Sequence, residues 1–165
     1  MVKMSGNLSR IQKIVTSIDE DFDVFMGAVV PPTFENTIYR FPSFEAVEAY
    51  NKKEVFRYCY SKNENPTLDA LERKLALMEK GEKAKCFGSG TAAIYTALLH
   101  FLDSDSHVIT VKNVYGRVRN FLTDTFAKFG VRSTFVKGDD VDELEKAILP
   151  NTRIIYLESP TTWVF

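Results

Sequence analysis

Cysteine and histidine are nearly missing from this chain: Cys59, Cys86, His100 and His107 are all it has among 165 residues. So few cysteines make neither a disulfide framework nor a four-ligand zinc site, and histidines so spaced do not build a metal cluster. Ordinary packing accounts for all four side chains, so cofactor chemistry here is expected to be organic, not metallic. A charge excess is missing as well. The formal balance is -1, and no global field draws the chain to DNA, RNA or an anionic membrane. The longest apolar runs are strand-sized, shorter than a transmembrane helix requires. Polar residues occupy the N-terminus where a signal peptide carries its apolar core, so the expected compartment is cytoplasmic. Low-complexity sequence is absent, and 45% hydrophobic with 26% charged residues is a globular composition. The length allows one domain with a real core and is too short for two ordinary ones.

The first forty residues read as an arm. Leu8, Ile11, Ile14, Val15 and Ile18 fall on one helical face, and the acidic stretch Asp19-Glu20-Asp21 follows. Ala28-Val29-Val30-Pro31-Pro32-Thr33 is expected to be extended, because each proline keeps its predecessor out of the helical region. Ser43 is the expected N-cap of a short helix with Phe44, Val47 and Tyr50 on one side. Residues 1–64 are therefore read as an N-terminal arm and subunit-contact segment, and 65–165 as the first part of an α/β domain.

From Asn65 onward the pattern is regular. Asn65 can cap a helix whose first residue is Pro66, where the missing N–H costs nothing. Leu68, Leu71, Leu75 and Met78 are expected to line its packed face, and Gly81 to stop it. A strand at Ala84–Phe87 is expected to run through Gly88-Ser89-Gly90 into a helix from about Thr91 to Leu102. A strand at His107–Val111, a helix from about Tyr115 to Phe129 stopped by Gly130, and a strand at Val131–Val136 come next. Asp140 and Glu143 form an N-cap pair for a short helix ending near Leu149. Arg153–Leu157 is a strand whose side-by-side Ile154 and Ile155 suggest burial of both faces. Strands alternating with helices predict a mainly parallel α/β sheet, with ligands beyond the carboxyl ends of its strands.

The glycine turn lies at one such end. A helix that starts at a tight turn aims unpaired N–H groups at one point, where a phosphate can sit. Gly88 and Gly90 let the chain turn and let a ligand approach without a Cβ in the way. The N–H groups of Gly90 and Thr91 and the hydroxyls of Ser89 and Thr91 are the candidate ligands. Taken alone, Gly-Ser-Gly before a helix is often only a turn. It lacks the Gly-Lys-Ser/Thr of the Walker loop and the third glycine of the dinucleotide fingerprint.

The wider context is more specific. Tyr60-Ser61-Lys62-Asn63-Glu64-Asn65-Pro66-Thr67 precedes a Leu-rich helix, and Cys86-Phe87-Gly88-Ser89-Gly90-Thr91-Ala92-Ala93 follows it. Val114-Tyr115-Gly116 and Leu157-Glu158-Ser159-Pro160 come next, and Gly27-Ala28-Val29-Val30-Pro31-Pro32 lies upstream. In this order the motifs closely resemble the Cys/Met-metabolism family of pyridoxal-phosphate enzymes, the group of cystathionine β-lyases, γ-synthases, γ-lyases and homoserine sulfhydrylases. The resemblance implies a truncated large domain of the fold type I pyridoxal-phosphate-dependent transferases, with an N-terminal arm. It implies that Ser89, Gly90 and Thr91 hold the cofactor phosphate. Tyr60 and Lys62 would reach that phosphate from a neighbouring subunit, in a dimer of dimers with shared sites. Tyr115 would stack on the pyridine ring and help activate the substrate, whereas Glu158 near it reads nearly as well as a solvated strand-end carboxylate.

Departures from the family pattern bear on the substrate. Lys62 stands where arginine is usual, which keeps the charge and loses the two-pronged geometry. Arg117 stands where many γ-lyases have cysteine. Pro160-Thr161-Thr162-Trp163 lacks the asparagine common in the γ-synthase-like branch, and Glu158-Ser159-Pro160-Thr161 resembles the β-lyase branch more. The family also implies an amine that binds the cofactor covalently and a carboxylate facing the ring nitrogen, and no residue up to Phe165 matches either. The expected function is the N-terminal part of a β-lyase on cystathionine-like thioethers. The alternatives are γ-replacement on an activated homoserine, and a non-catalytic chain that only pairs with full-length subunits.

Overall fold

The computed structural model describes residues 9–17, 26–28 and 30–161, and the chain divides into two compact units, Met1–Cys86 and Phe87–Phe165. In the first unit, helix α1 spans Arg10–Ser17, α2 Phe44–Asn51 and α3 Pro66–Glu79. Ile14 is buried in α1, whereas Ile11 and Val15 stay about half exposed. The Arg10 guanidinium donates to the Leu77 carbonyl at 3.4 Å and Lys74 Nζ to the Val15 carbonyl at 3.2 Å, tying α1 to α3. Leu8, Ile18 and the acidic stretch Asp19–Asp21 lie outside the described residues. Ser43 caps α2 as expected, accepting from the Ala46 N–H at 3.3 Å. Phe44 nevertheless remains 88% exposed, so only part of the expected face of α2 packs, with Tyr50 edge-on to Phe41 at 5.3 Å.

Three expectations about α3 and its exit are corrected. Its start is right: Asn65 Oδ1 accepts from the Thr67 N–H at 2.9 Å, one residue after Pro66. Its buried residues, however, are Glu72 and Ala76, while Leu71 and Leu75 are exposed. Glu72 is buried because its carboxylate has partners: Oε1 accepts from the Cys86 N–H at 2.9 Å and Oε2 pairs with Lys85 Nζ at 2.9 Å. The left-handed residue that ends the helix is Lys80, at φ 58°, rather than Gly81. Ala84–Phe87 is not a strand. No neighbouring strand among the described residues offers it a ladder, and the Cys86 N–H goes to a carboxylate instead.

The second unit is a parallel sheet with helices. Helix α4 spans Gly90–Phe101, β1 His107–Val111, α5 Gly116–Asn120, β2 Arg132–Val136, α6 Val141–Ala147 and β3 Thr152–Tyr156. The strand order is β2-β1-β3, all parallel. β1 is central and buried throughout, and Val108, Val111, Val114, Val118, Leu122 and Phe126 pack with Leu98 of α4 to form the core. His107 joins three strands, with Nδ1 2.8 Å from Thr152 Oγ1 and Nε2 2.9 Å from Thr134 Oγ1. Burial, followed by the charge of Arg132, holds its imidazole below the usual value. The expected burial of both faces of β3 is not found: Ile154 packs on the core, but Ile155 is 43% exposed. Burial alternates along β3, the pattern of a strand with one covered face.

The long helix expected from Tyr115 to Phe129 is broken into three pieces. After α5 the backbone widens into a π turn at Phe121–Thr125 and tightens into a 3-10 turn at Phe126–Phe129. Phe121 opens the wide turn, stacked on Tyr95 at 3.6 Å and packed on Phe126 at 4.0 Å. Gly130 at φ 84° ends the run, as expected. Asp140 caps α6 as expected, but Glu143 does not reach back to it. Its carboxylate accepts from the Lys137 N–H at 2.9 Å.

Candidate functional site

Helix α4 begins as the glycine turn predicts. Ser89 is the N-cap in extended geometry, and its Oγ accepts from the Ala92 N–H at 3.1 Å. The Ala93 N–H bonds to the Ser89 carbonyl at 3.1 Å, which leaves the N–H groups of Gly90 and Thr91 without partners among the described residues. A Cβ added at Gly88 or Gly90 would meet no atom within 4 Å, and neither glycine has a left-handed φ. The glycines are therefore not required by the turn itself. They keep open the space in front of two unpaired donors, where the helix dipole favours an anion. Ser89 Oγ is already an acceptor in the cap, so its remaining contribution to a ligand is the O–H as donor.

Topology brings Tyr115 to the same end of the sheet. α4 returns to β1 through the short connection Leu102–Ser106, so its N-terminus lies toward the carboxyl end of β1, where Tyr115 follows. Tyr95 in the second turn of α4 donates to the Arg117 carbonyl at 3.0 Å, fixing that neighbourhood. The Tyr115 side chain is 41% exposed. Its N–H donates to Glu158 Oε2 at 2.8 Å, and the Tyr156 hydroxyl donates to Glu158 Oε1 at 3.0 Å. Burial, with this carboxylate beside it, pushes the Tyr156 phenol up to about 12. Asn113 Nδ2 donates to Thr161 Oγ1 at 2.8 Å. Glu158 is thus not a solvated strand-end carboxylate, since both of its oxygens are engaged. Sequence reasoning missed Tyr156, Asn113 and Thr161. Tyr156 could have been found, because residues two apart on an extended segment share a face.

Tyr60 and Lys62 lie in the other unit, on a turn held from below. The Ser61 N–H donates to the Thr37 carbonyl at 2.9 Å, and Tyr60 forms an antiparallel bridge with Ile38. Asn65 Nδ2 donates to Ser61 Oγ at 3.0 Å and to the Phe34 carbonyl at 2.9 Å. Both neighbours of Ser61 project outward: Tyr60 is 41% exposed, and Lys62 is exposed with no ion-pair partner among the described residues. Cys59 and Cys86 are free thiols, and no group of metal-ligating side chains occurs among the described residues. No described helix is long and apolar enough to cross a membrane.

Comparison with known proteins bears on what this end of the sheet holds. The family described as Cys/Met metabolism PLP-dependent enzyme matches residues 13–164. Cystathionine gamma-lyase of Bacillus subtilis is 38% identical over 82% of this chain and 33% of its own length. Cystathionine beta-lyase MetC of the same organism is 37% identical over 82% of this chain and 32% of its own length. The chain therefore spans about a third of the curated relatives it matches. The crystal structure of a putative O-acetylhomoserine (thiol)-lyase from Campylobacter jejuni, which carries N′-pyridoxyl-lysine-5′-monophosphate, superposes with a TM-score of 0.82 at 29% identity. It covers 94% of this chain and 38% of that one. The free donors, the open approach over Gly88 and Gly90 and the exposed Tyr115 ring suit a phosphorylated aromatic cofactor. With a parallel sheet that matches part of a fold type I large domain, this chain belongs to the pyridoxal-phosphate-dependent enzymes of Cys/Met metabolism.

Proposed function

We propose that this chain forms the phosphate-gripping and ring-covering part of the cofactor site in an enzyme of sulfur amino-acid metabolism. The observation that carries this reading is the start of α4, where the N–H groups of Gly90 and Thr91 have no partner among the described residues and the positions a Cβ would fill at Gly88 and Gly90 are open. These donors and the Ser89 and Thr91 hydroxyls bind the phosphate oxygens. Tyr115 covers the ring and acts on the substrate through its phenol. Tyr60 and Lys62, on their hydrogen-bonded turn, complete a phosphate site in a neighbouring subunit. Pyridoxal phosphate, when bound, supplies the electron sink that stabilises charge developing at the substrate α-carbon.

The reaction is β-elimination from cystathionine or a related thioether, in which the Cβ–S bond breaks. With water consumed, the products are a thiol, pyruvate and ammonia. The run Glu158-Ser159-Pro160-Thr161 supports this branch. A second reading, γ-replacement on an activated homoserine, draws on the likeness to the Campylobacter protein. The expected compartment is the cytoplasm.

A chimera joining this chain to the remaining two thirds of the Bacillus β-lyase tests the proposal. Pyruvate and ammonia released in equal amounts from cystathionine are expected. A new thioether from O-acetylhomoserine and a thiol, without pyruvate, would favour replacement. No cofactor capture at all would reject the site.

A further inference from the structure

One carboxylate joins two segments 43 residues apart, and it does so through the main chain of Tyr115. The Tyr115 carbonyl is taken by the Val118 and Arg119 N–H groups at 2.9 and 3.1 Å, in the first turn of α5. Its N–H precedes the helix, so no helical acceptor exists for it. Glu158 Oε2 accepts that N–H at 2.8 Å, while Oε1 is held by the half-buried Tyr156 hydroxyl at 3.0 Å. Both donors are neutral, and hydrogen bonds of this kind to a carboxylate are charge-assisted. The Asn113–Thr161 hydrogen bond ties the same two segments a second time. With N–H and carbonyl both fixed, the Tyr115 Cα has little freedom, and the ring has only its own side-chain torsions left.

We propose that Glu158 is a positioning residue that holds the backbone of Tyr115, so that the tyrosine ring is presented ready-placed at the start of the site. This rests on the reading of Tyr115 as the ring-covering residue. Glu158 itself touches neither substrate nor cofactor in this role; it acts through Tyr115 and is braced by Tyr156.

The test uses the full 165-residue chain and three readouts. Glu158→Ala should raise the hydrogen exchange of the Tyr115 amide by about tenfold or more, the scale of a lost charge-assisted bond. It should also let Tyr156 ionise below its present value of about 12. Glu158→Gln can still accept from the Tyr115 N–H while its amide donates to the Tyr156 oxygen, so it should restore the amide protection but not the carboxylate's share of the raised phenol, while the larger share from burial stays in both variants. Noncovalent affinity for pyridoxal phosphate should fall roughly tenfold in Glu158→Ala, with affinity for ringless glycerol phosphate unchanged. Adding Tyr115→Ala should then cost nothing further. A folded Glu158→Ala with unchanged amide exchange overturns the proposal, as does equal weakening of both ligands. If Glu158→Ala does not fold, loss of amide protection in Glu158→Gln overturns it. Should the unmodified chain fail to prefer pyridoxal phosphate over glycerol phosphate, the reading of Tyr115 fails, and the exchange data still decide the role of Glu158.

Discussion

Gly90 is the first residue of α4, and its N–H is one of the two free donors at the helix start. That position separates binding from stability. Proline is tolerated at the first helical residue because its missing N–H would be unpaired anyway, and Ser89 already has the extended geometry that proline demands of its predecessor. Gly90→Pro should therefore leave the melting temperature nearly unchanged while removing a donor and filling the open approach. Phosphate-monoester affinity should fall by at least tenfold, from a hydrogen bond to a charged group worth about 1.5–3 kcal/mol. Isothermal titration measures this, and unchanged affinity would place the anion elsewhere. At the same scale, Glu72 and Glu158 show where reading residues one at a time falls short. Both are carboxylates whose use is set by an N–H from a distant segment, Cys86 for one and Tyr115 for the other.

At the scale of elements, the join between β1 and β2 depends on close backbone approach. Gly138 follows β2 at φ 95°, and a Cβ there would lie 2.7 Å from Val111 Cγ1 at the end of β1. Gly138→Ala meets both the steric clash and the left-handed strain, so a loss of about 1–3 kcal/mol is expected. Urea unfolding would show it as a lower midpoint at constant slope. The sheet also carries a pH dependence. His107 takes up a proton in the unfolded chain near its ordinary 6.5, whereas burial between β2 and β3 delays this in the folded state to lower pH. The unfolded state then binds more protons, so the contribution is intact above that value and is lost as pH falls through it. The urea midpoint should drop between about pH 7.5 and 5.5, and the drop should shrink in His107→Asn, which can still bond to a threonine. An equal drop in the variant would exonerate His107.

For the whole chain, the exposed edge strand matters most. Among the described residues β3 pairs only with β1, and Ile155 and Leu157 beyond the core are 43% and 55% exposed. An open edge with apolar residues is a template for pairing with another strand. The chain is therefore expected to elute from gel filtration as an associated species. Ile155→Lys, a charge on the outward face, should shift it toward monomer without lowering the cooperativity of its thermal melt. A monodisperse monomer before any substitution would refute this.

The sequence by itself determined the helix starts, because these depend on local chemistry. Ser43, Asn65, Ser89 and Asp140 cap the helices that follow them through bonds spanning two or three residues. The motifs from Gly27 to Pro160 likewise pointed to the family before any coordinate was needed. Only the tertiary structure decided which face of α3 is buried, that Ala84–Phe87 is not a strand, that β3 is half exposed, and that Glu158 holds Tyr115. The reason is common to all four. Each depends on a hydrogen-bond or packing partner from a segment distant in sequence, and hydrophobic periodicity carries no information about whether that partner is there.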